Sequence, residues 1–204
     1  MTTKRVAVIG SRETPQPALR LTTLFTNMLV ELGYAIYSGG CPKGMDYAGL
    51  KGAYSHKTSD KSKNRIYLAW DGMSDLHHDP ANGFYDATQF ENYRIATIMA
   101  ELARGSFHGL YDKGIKLHCR NPYQVLGDDL CSNVDFVLTW AIPTGKQGRV
   151  KGGTGTAVRI AVEHGIPVYN LYYEDVFNRV DHFVQSVLMQ KAVNNAKQQT
   201  GGSG

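Results

Sequence analysis

The chain has 204 residues, 42% of them hydrophobic and 20% charged, with 22 basic against 18 acidic side chains for a net charge of +4. That is ample for one domain with its own core, and the balance excludes a disordered tail or a strongly basic nucleic-acid arm. No apolar run approaches the roughly 20 residues of a membrane span, and the start Met1–Arg5 lacks the long apolar stretch of a secretory signal.

Val6–Ile9 is a β-branched run that ends in Gly10-Ser11, a buried strand entering a tight turn. Thr14-Pro15 opens a helix whose apolar residues Leu21, Leu24, Phe25, Met28, Leu29 and Leu32 recur at helical spacing, with Gly33 as its stop. Tyr34–Tyr37 is the second strand and Met45–Ala53 a helix opening after Gly44. Ser55–Asn64 is polar and lysine-rich, an exposed connection, and Arg65–Trp70 is the third strand. Asp71–Asp86 has the Gly, Pro, Asn and His content of a long loop, which in a compact domain is usually functional or mobile.

Phe90–Arg104 returns to helical spacing, with Ile95, Ile98, Met99 and Leu102 on one side, and Pro122–Leu130 reads as a short helix. Asp135–Ile142 is a strand, Thr144–Gly155 a glycine-rich loop, Thr156–His164 a helix and Val168–Leu171 a strand. Val176, Val180, Phe183, Val184, Val187 and Leu188 form the inner face of a final helix. Residues 1–200 thus read as a single domain and 201–204 as an appended linker. Strands alternating with helices predict an α/β, Rossmann-like, doubly wound and mainly parallel sheet with helices on both faces. Ligands of such sheets sit at the carboxyl ends of the strands, where strand order reverses.

Three glycine-rich turns follow three of the strands: Gly10-Ser11-Arg12, Ser38-Gly39-Gly40 through Lys43-Gly44, and Gly152-Gly153-Thr154-Gly155-Thr156. Such turns let backbone N–H groups face an anion, and a following helix adds its positive end. Ser11, Ser38, Thr154 and Thr156 add hydroxyls, and Arg12 and Lys43 add charge. None matches the P-loop pattern, which disfavours NTP hydrolysis of that kind, and the dinucleotide pattern G-x-G-x-x-G is absent after the first strand.

Val6–Arg12, Tyr37–Asp46, Arg120-Asn121 and Lys151–Ala157, in this order and spacing, resemble the SLOG superfamily over most of residues 4–171. That superfamily includes DprA/Smf, the LOG (lysine-decarboxylase-like) enzymes and sensor domains of nucleotide-signal defence systems. The chain is similar to a stand-alone member, of phage type. The resemblance implies a Rossmann-like pocket for a nucleotide-derived ligand. Gly10, Ser11 and Arg12 would lie beside the ligand, and Ser38, Gly39, Gly40, Gly44 and Asp46 would form a second wall. Arg120 matches the arginine ahead of the glycine loop, and Gly152–Thr156 would hold a phosphate. Where LOG phosphoribohydrolases resemble P-G-G-x-G-T-x-x-E, this chain has Lys151 in place of the proline and no carboxylate in Ala157-Val158-Arg159; Glu163 comes a helical turn later.

Catalysis therefore has only weak candidates in Asp46, Glu91 and Arg120. Glu91 is either a carboxylate acting on a ligand or an acidic first-turn residue of its helix. Asp75, His77, His78 and Asp79 lack metal-ligand spacing and read as a solvated loop, so neither a metal nor a cofactor is expected. Cys41 has no evident His or Asp partner for a nucleophile. Trp70 and Trp140 are either base-stacking platforms or core aromatics, Trp140 being placed just ahead of the glycine loop. Three cysteines without a disulfide framework point to the cytoplasm. The expected function is capture of a nucleotide or nucleotide-derived signal, cyclic or of ADP-ribose type, by a sensor or sequestering protein. A nucleotide N-glycosidase and a DprA-like single-stranded DNA-binding protein are the alternatives. A homo-oligomer is expected and a membrane partner is not.

Overall fold

The computed structural model describes residues 4–55, 60–144 and 149–200. Parts of the expected connection Ser55–Asn64 and loop Thr144–Gly155, and all of 201–204, lie outside the described residues. The strands are β1 (Arg5–Val8), β2 (Ala35–Ser38), β3 (Arg65–Leu68), β4 (Phe84–Asp86), β5 (Phe136–Thr139) and β6 (Val168–Asn170). They form one sheet in the order β4-β3-β2-β1-β5-β6, every neighbouring pair parallel. This is the Rossmann-like α/β arrangement expected, with the reversal of strand order at β1 and β5.

Register explains why the strands read as unbroken apolar runs. Val6 pairs with Ile36 on one side and Phe136 on the other, so alternate residues point to the same face across the sheet. Val6, Val8, Ile36 and Leu138 pack against α1 (Gln16–Glu31), α2 (Met45–Tyr54) and α7 (Glu174–Thr200). Ala7, Ile9, Tyr37 and Val137 pack against α3 (Tyr93–Arg104), α5 (Asn121–Leu126) and α6 (Gly152–Glu163). Between α3 and α5 runs α4 (Asp112–Cys119). No helix among the described residues is long and apolar enough to cross a membrane.

Four expectations need correction. The Asp71–Asp86 loop ends in β4, whose residues pair Ile66↔Phe84 to Leu68↔Asp86 along the sheet edge. The rest of the segment is braced: Asp71 accepts the His78 N–H at 2.7 Å, and His78 Nδ1 accepts the Asp86 N–H at 3.1 Å. A three-residue edge strand is too short to show alternation, which is why the pattern hid it.

Helix α4 was not foreseen, because Lys113, Gly114 and Lys116 interrupt its apolar pattern. Helix α6 starts at Gly152, so residues 152–155 of the expected glycine loop form its first turn. Of the expected inner side of α3 Met99 packs against the core, but Ile95, Ile98 and Leu102 face outward, 56%, 51% and 74% exposed. The buried side carries Ala96, Ala100 and Ala103, whose small side chains let α3 approach the cluster formed with α6. The expected inner face of α7 holds in part: Val184 is fully buried and Val176, Val180 and Val187 pack beside it, while Phe183 and Leu188 stay partly open.

Candidate functional site

A cleft of about 450 Å³ opens at the carboxyl ends of β1 and β5, where a doubly wound sheet leaves room between its two sets of helices. The turn after β1 brings Gly10, Ser11 and Arg12 to it, and the segment after β2 brings Cys41 and Asp46. Helices α4 and α5 supply His118, Arg120, Asn121 and Gln124, and the first turn of α6 supplies Gly152, Gly153 and Thr154.

Local geometry fixes each wall. The Ser11 N–H donates to the Trp140 carbonyl at 2.9 Å, and the Ser11 carbonyl accepts the Met45 N–H at 3.3 Å, tying β1's turn to the neighbouring segments. At Gly44, φ is +78° and a Cβ would run into the Ser11 carbonyl, so only glycine brings α2 this close. Among the described residues no side chain caps the α6 N-terminus, and its first-turn residues Gly152, Gly153 and Thr154 line the cleft at the positive end of a twelve-residue helix. Asn121 Nδ2 donates to the Gly153 carbonyl at 2.9 Å and holds that turn in place.

Arg120 is the hub. It sits at the α4–α5 junction, and its side chain and that of Asp46 are each 6% exposed. Its Nη1 donates to the Tyr67 carbonyl at 3.2 Å, and its Nη2 to Cys41 Sγ at 3.2 Å and Asp46 Oδ2 at 3.5 Å. Asp46 also accepts the Gly10 N–H at 3.3 Å. Burial pushes the Asp46 carboxyl above its usual range, against the pull of the Arg120 charge and of bonds from Gly10 and Cys41. The Arg120 Nε and both amide atoms of Gln124 are buried with no partner among the described residues. Unsatisfied buried polar groups are costly, and three of the six such atoms among the described residues belong to these two cleft-lining side chains.

Helix α4 adds His118, whose Nδ1 shares a 2.8 Å hydrogen bond with Thr156 Oγ1. Burial, then the charges of Arg104 and Arg120, lower its pKa to about 4. The folded protein thus keeps His118 neutral where the unfolded chain protonates it, so stability falls as pH drops from about 6.5 towards 4. The expected loss is on the order of 1–2 kcal/mol, reduced from the full shift by solvent at the cleft. Urea titrations at pH 7 and 4.5, with His118→Asn removing most of the difference, check this.

The structure does not bring every candidate together. Ser38 is buried and donates to the Val8 carbonyl at 2.7 Å, linking strands. Gly39 presses on Asp46, Arg120 and Gln124 from behind. Gly40 packs near Leu68 and Ile66. Lys43 is exposed beside the cleft. Gly155 abuts the Val150 carbonyl, and Thr156 lies behind the opening on His118. Trp140 turns to Tyr172, ring centroids 5.8 Å apart. Glu91 is exposed and lines no part of the cleft. Sequence reasoning missed His118 and Gln124. Gln124 had a signal, since it lies four residues after Arg120 and so shares its helical face; His118 had none without α4.

No protein-family model matches the chain, and no curated protein matches it. Among solved structures the fold is similar to that of DNA processing protein A from Helicobacter pylori, a single-stranded DNA-binding protein. The TM-score is 0.50 at 15% identity, over 93% of this chain and 82% of that one. At that identity the likeness speaks to the fold alone.

Proposed function

We propose that this protein binds a nucleotide through its phosphate, with the phosphate at the first turn of α6 and the sugar towards Asp46 and Gln124. The carrying observation is the set of partnerless buried atoms on Arg120 and Gln124 beside the cleft. The uncapped α6 N-terminus and the rim cations Arg12 and Lys151 support an anion there. The order of the glycine motifs supports a stand-alone SLOG-like protein. A nucleotide-derived small molecule suits a cleft of this volume. Single-stranded DNA is the second reading, favoured by the fold likeness to a protein that binds it. That likeness bears more on DNA than on a free signalling nucleotide.

Calorimetric titration with 5′-mononucleotides, cyclic nucleotides and an oligothymidylate tests this, followed by mass spectrometry of what the protein releases. Saturable binding is expected, with inorganic phosphate competing and the ligand recovered intact. A Gly153→Asp variant should bind at least tenfold more weakly, about 1.4 kcal/mol, because it sets a carboxylate at the phosphate position. The site has room for it: among the described residues a Cβ at Gly153 meets only Asn121, at 3.8 Å. Steep salt dependence with preference for the oligomer would select DNA. Recovery of free base and sugar phosphate would select the N-glycosidase. No binding by any of them sinks the proposal.

A further inference from the structure

The cleft does not end at Cys41. A second pit of about 230 Å³ opens beside it, and Arg12, Cys41 and Leu117 line both. Its own surfaces differ in chemistry from the first. Trp70, Met73 and Pro42 give it a flat aromatic and apolar lining, and Lys43 joins Arg12 as a second cation. Among the described residues no carboxylate lines it. The Lys113 ammonium lies over the Trp70 ring, 5.4 Å from its centre, a further positive charge beside the pit. The partition between the two pits is itself charged, since Arg120 bonds Cys41 of the shared wall and, at 3.7 Å, the Met73 sulfur.

An apolar aromatic pit with cations and no acid on its rim suits the face of a nucleobase whose phosphate lies alongside. An aromatic side chain stacks on any base, because every base has a π-face. Trp70 is half-buried at the end of β3 and lines this pit, whereas Trp140 lines neither. We infer that the second pit is a base subsite, so that the ligand is two nucleotide units joined by a phosphodiester: one phosphate lies at α6, the neighbouring base lies against Trp70, and Arg12 holds the phosphate at the junction. This inference rests on the phosphate-binding reading of the first cleft. A linear strand and a cyclic dinucleotide share this chemistry.

The protein contains two tryptophans, so a Trp140→Phe variant leaves Trp70 as the sole tryptophan, read by excitation on the red side of the tyrosine absorption. In that background, titration compares a 5′-mononucleotide with a 5′-phosphorylated linear dinucleotide and a cyclic dinucleotide. A dinucleotide is expected to quench Trp70 and to bind at least tenfold more tightly than the mononucleotide. Preference between the linear and cyclic forms then identifies the source. By calorimetry in the otherwise wild-type chain, Trp70→Ala should abolish that tenfold gain while leaving mononucleotide affinity within twofold. The unchanged mononucleotide affinity also shows that the variant has folded. Trp70→Phe, which retains a ring, should keep most of the gain. A dinucleotide no tighter than the mononucleotide overturns the subsite, as does equal weakening of both ligands by Trp70→Ala, with the phosphate site intact. Failure of every nucleotide to bind the wild type overturns the phosphate site and the subsite together.

Discussion

Replacing Arg120 with methionine is expected to lower stability by about 3 kcal/mol at pH 8, at the low end of the cost of stranding one member of a buried ion pair. The physical cause is Asp46. Its carboxylate keeps the Gly10 N–H but loses the guanidinium, and at 6% exposure it has little access to water. Protonation is its escape, and the carboxyl already sits above its usual range because of burial. In the variant its folded pKa rises further above the unfolded value. A group raised in this way contributes stability that is fully present below its unfolded pKa and lost as pH rises through the folded one. The deficit should therefore be smaller at pH 5 than at pH 8. Adding Asp46→Asn should recover more than half of it, since an amide needs no counter-charge. Urea denaturation of the four proteins of this cycle at both pH values gives the answer. A loss under about 1 kcal/mol at pH 8, or no recovery with Asp46→Asn, would mean that Arg120 is not what holds Asp46 charged.

The fold was legible where burial on both faces left long apolar runs. The expected β1 and β2 lie one residue from their observed positions, and β3, β5 and β6 are shorter than expected by a residue or more. Reading failed where side-chain size and hydrophobicity diverge. On α3 the large apolar residues Ile95, Ile98 and Leu102 drew the expected core face, yet the packed face is alanine. Close helix packing wants small side chains, and hydropathy patterns weight the large ones. Much of the candidate cleft was legible because glycine turns, an arginine and an aspartate are local signals. Gly10 to Arg12, Asp46, Arg120, Asn121 and Gly152 to Thr154 do meet at one opening. The rest depended on α4. Without that helix neither His118 nor Leu117 could be placed, and nothing in the sequence tied Trp70 to the cleft through Leu117. Glu91 fails for a related reason: its acidity is a local fact, but its distance from the cleft is a tertiary one.

Gly39→Ala is expected to cost about 1–3 kcal/mol of stability and to weaken nucleotide binding about 30-fold, equivalent to about 2 kcal/mol. A single methyl here meets three polar groups at once. It would lie 2.5 Å from Asp46 Oδ2 and 2.6 Å from Arg120 Cζ, and it would also crowd the Gln124 amide. The Arg120 and Asp46 side chains cannot yield freely. Arg120 is tethered to the Tyr67 carbonyl and to Cys41, and Asp46 to the Gly10 N–H. Relief must come from moving the groups that face the ligand, so stability and binding fall together. The same substitution at Gly114 should act in the opposite sense. That glycine lies within α4, and a Cβ there meets only Leu110 at an ordinary 3.7 Å. Alanine should then stabilise the helix by about 0.5–1 kcal/mol through its propensity alone. Thermal melts of both variants, with nucleotide titration of the Gly39→Ala protein, separate the two effects. If Gly39→Ala melts and binds as the wild type does, the Asp46–Arg120–Gln124 cluster is looser than its hydrogen bonds imply and cannot be what positions a ligand.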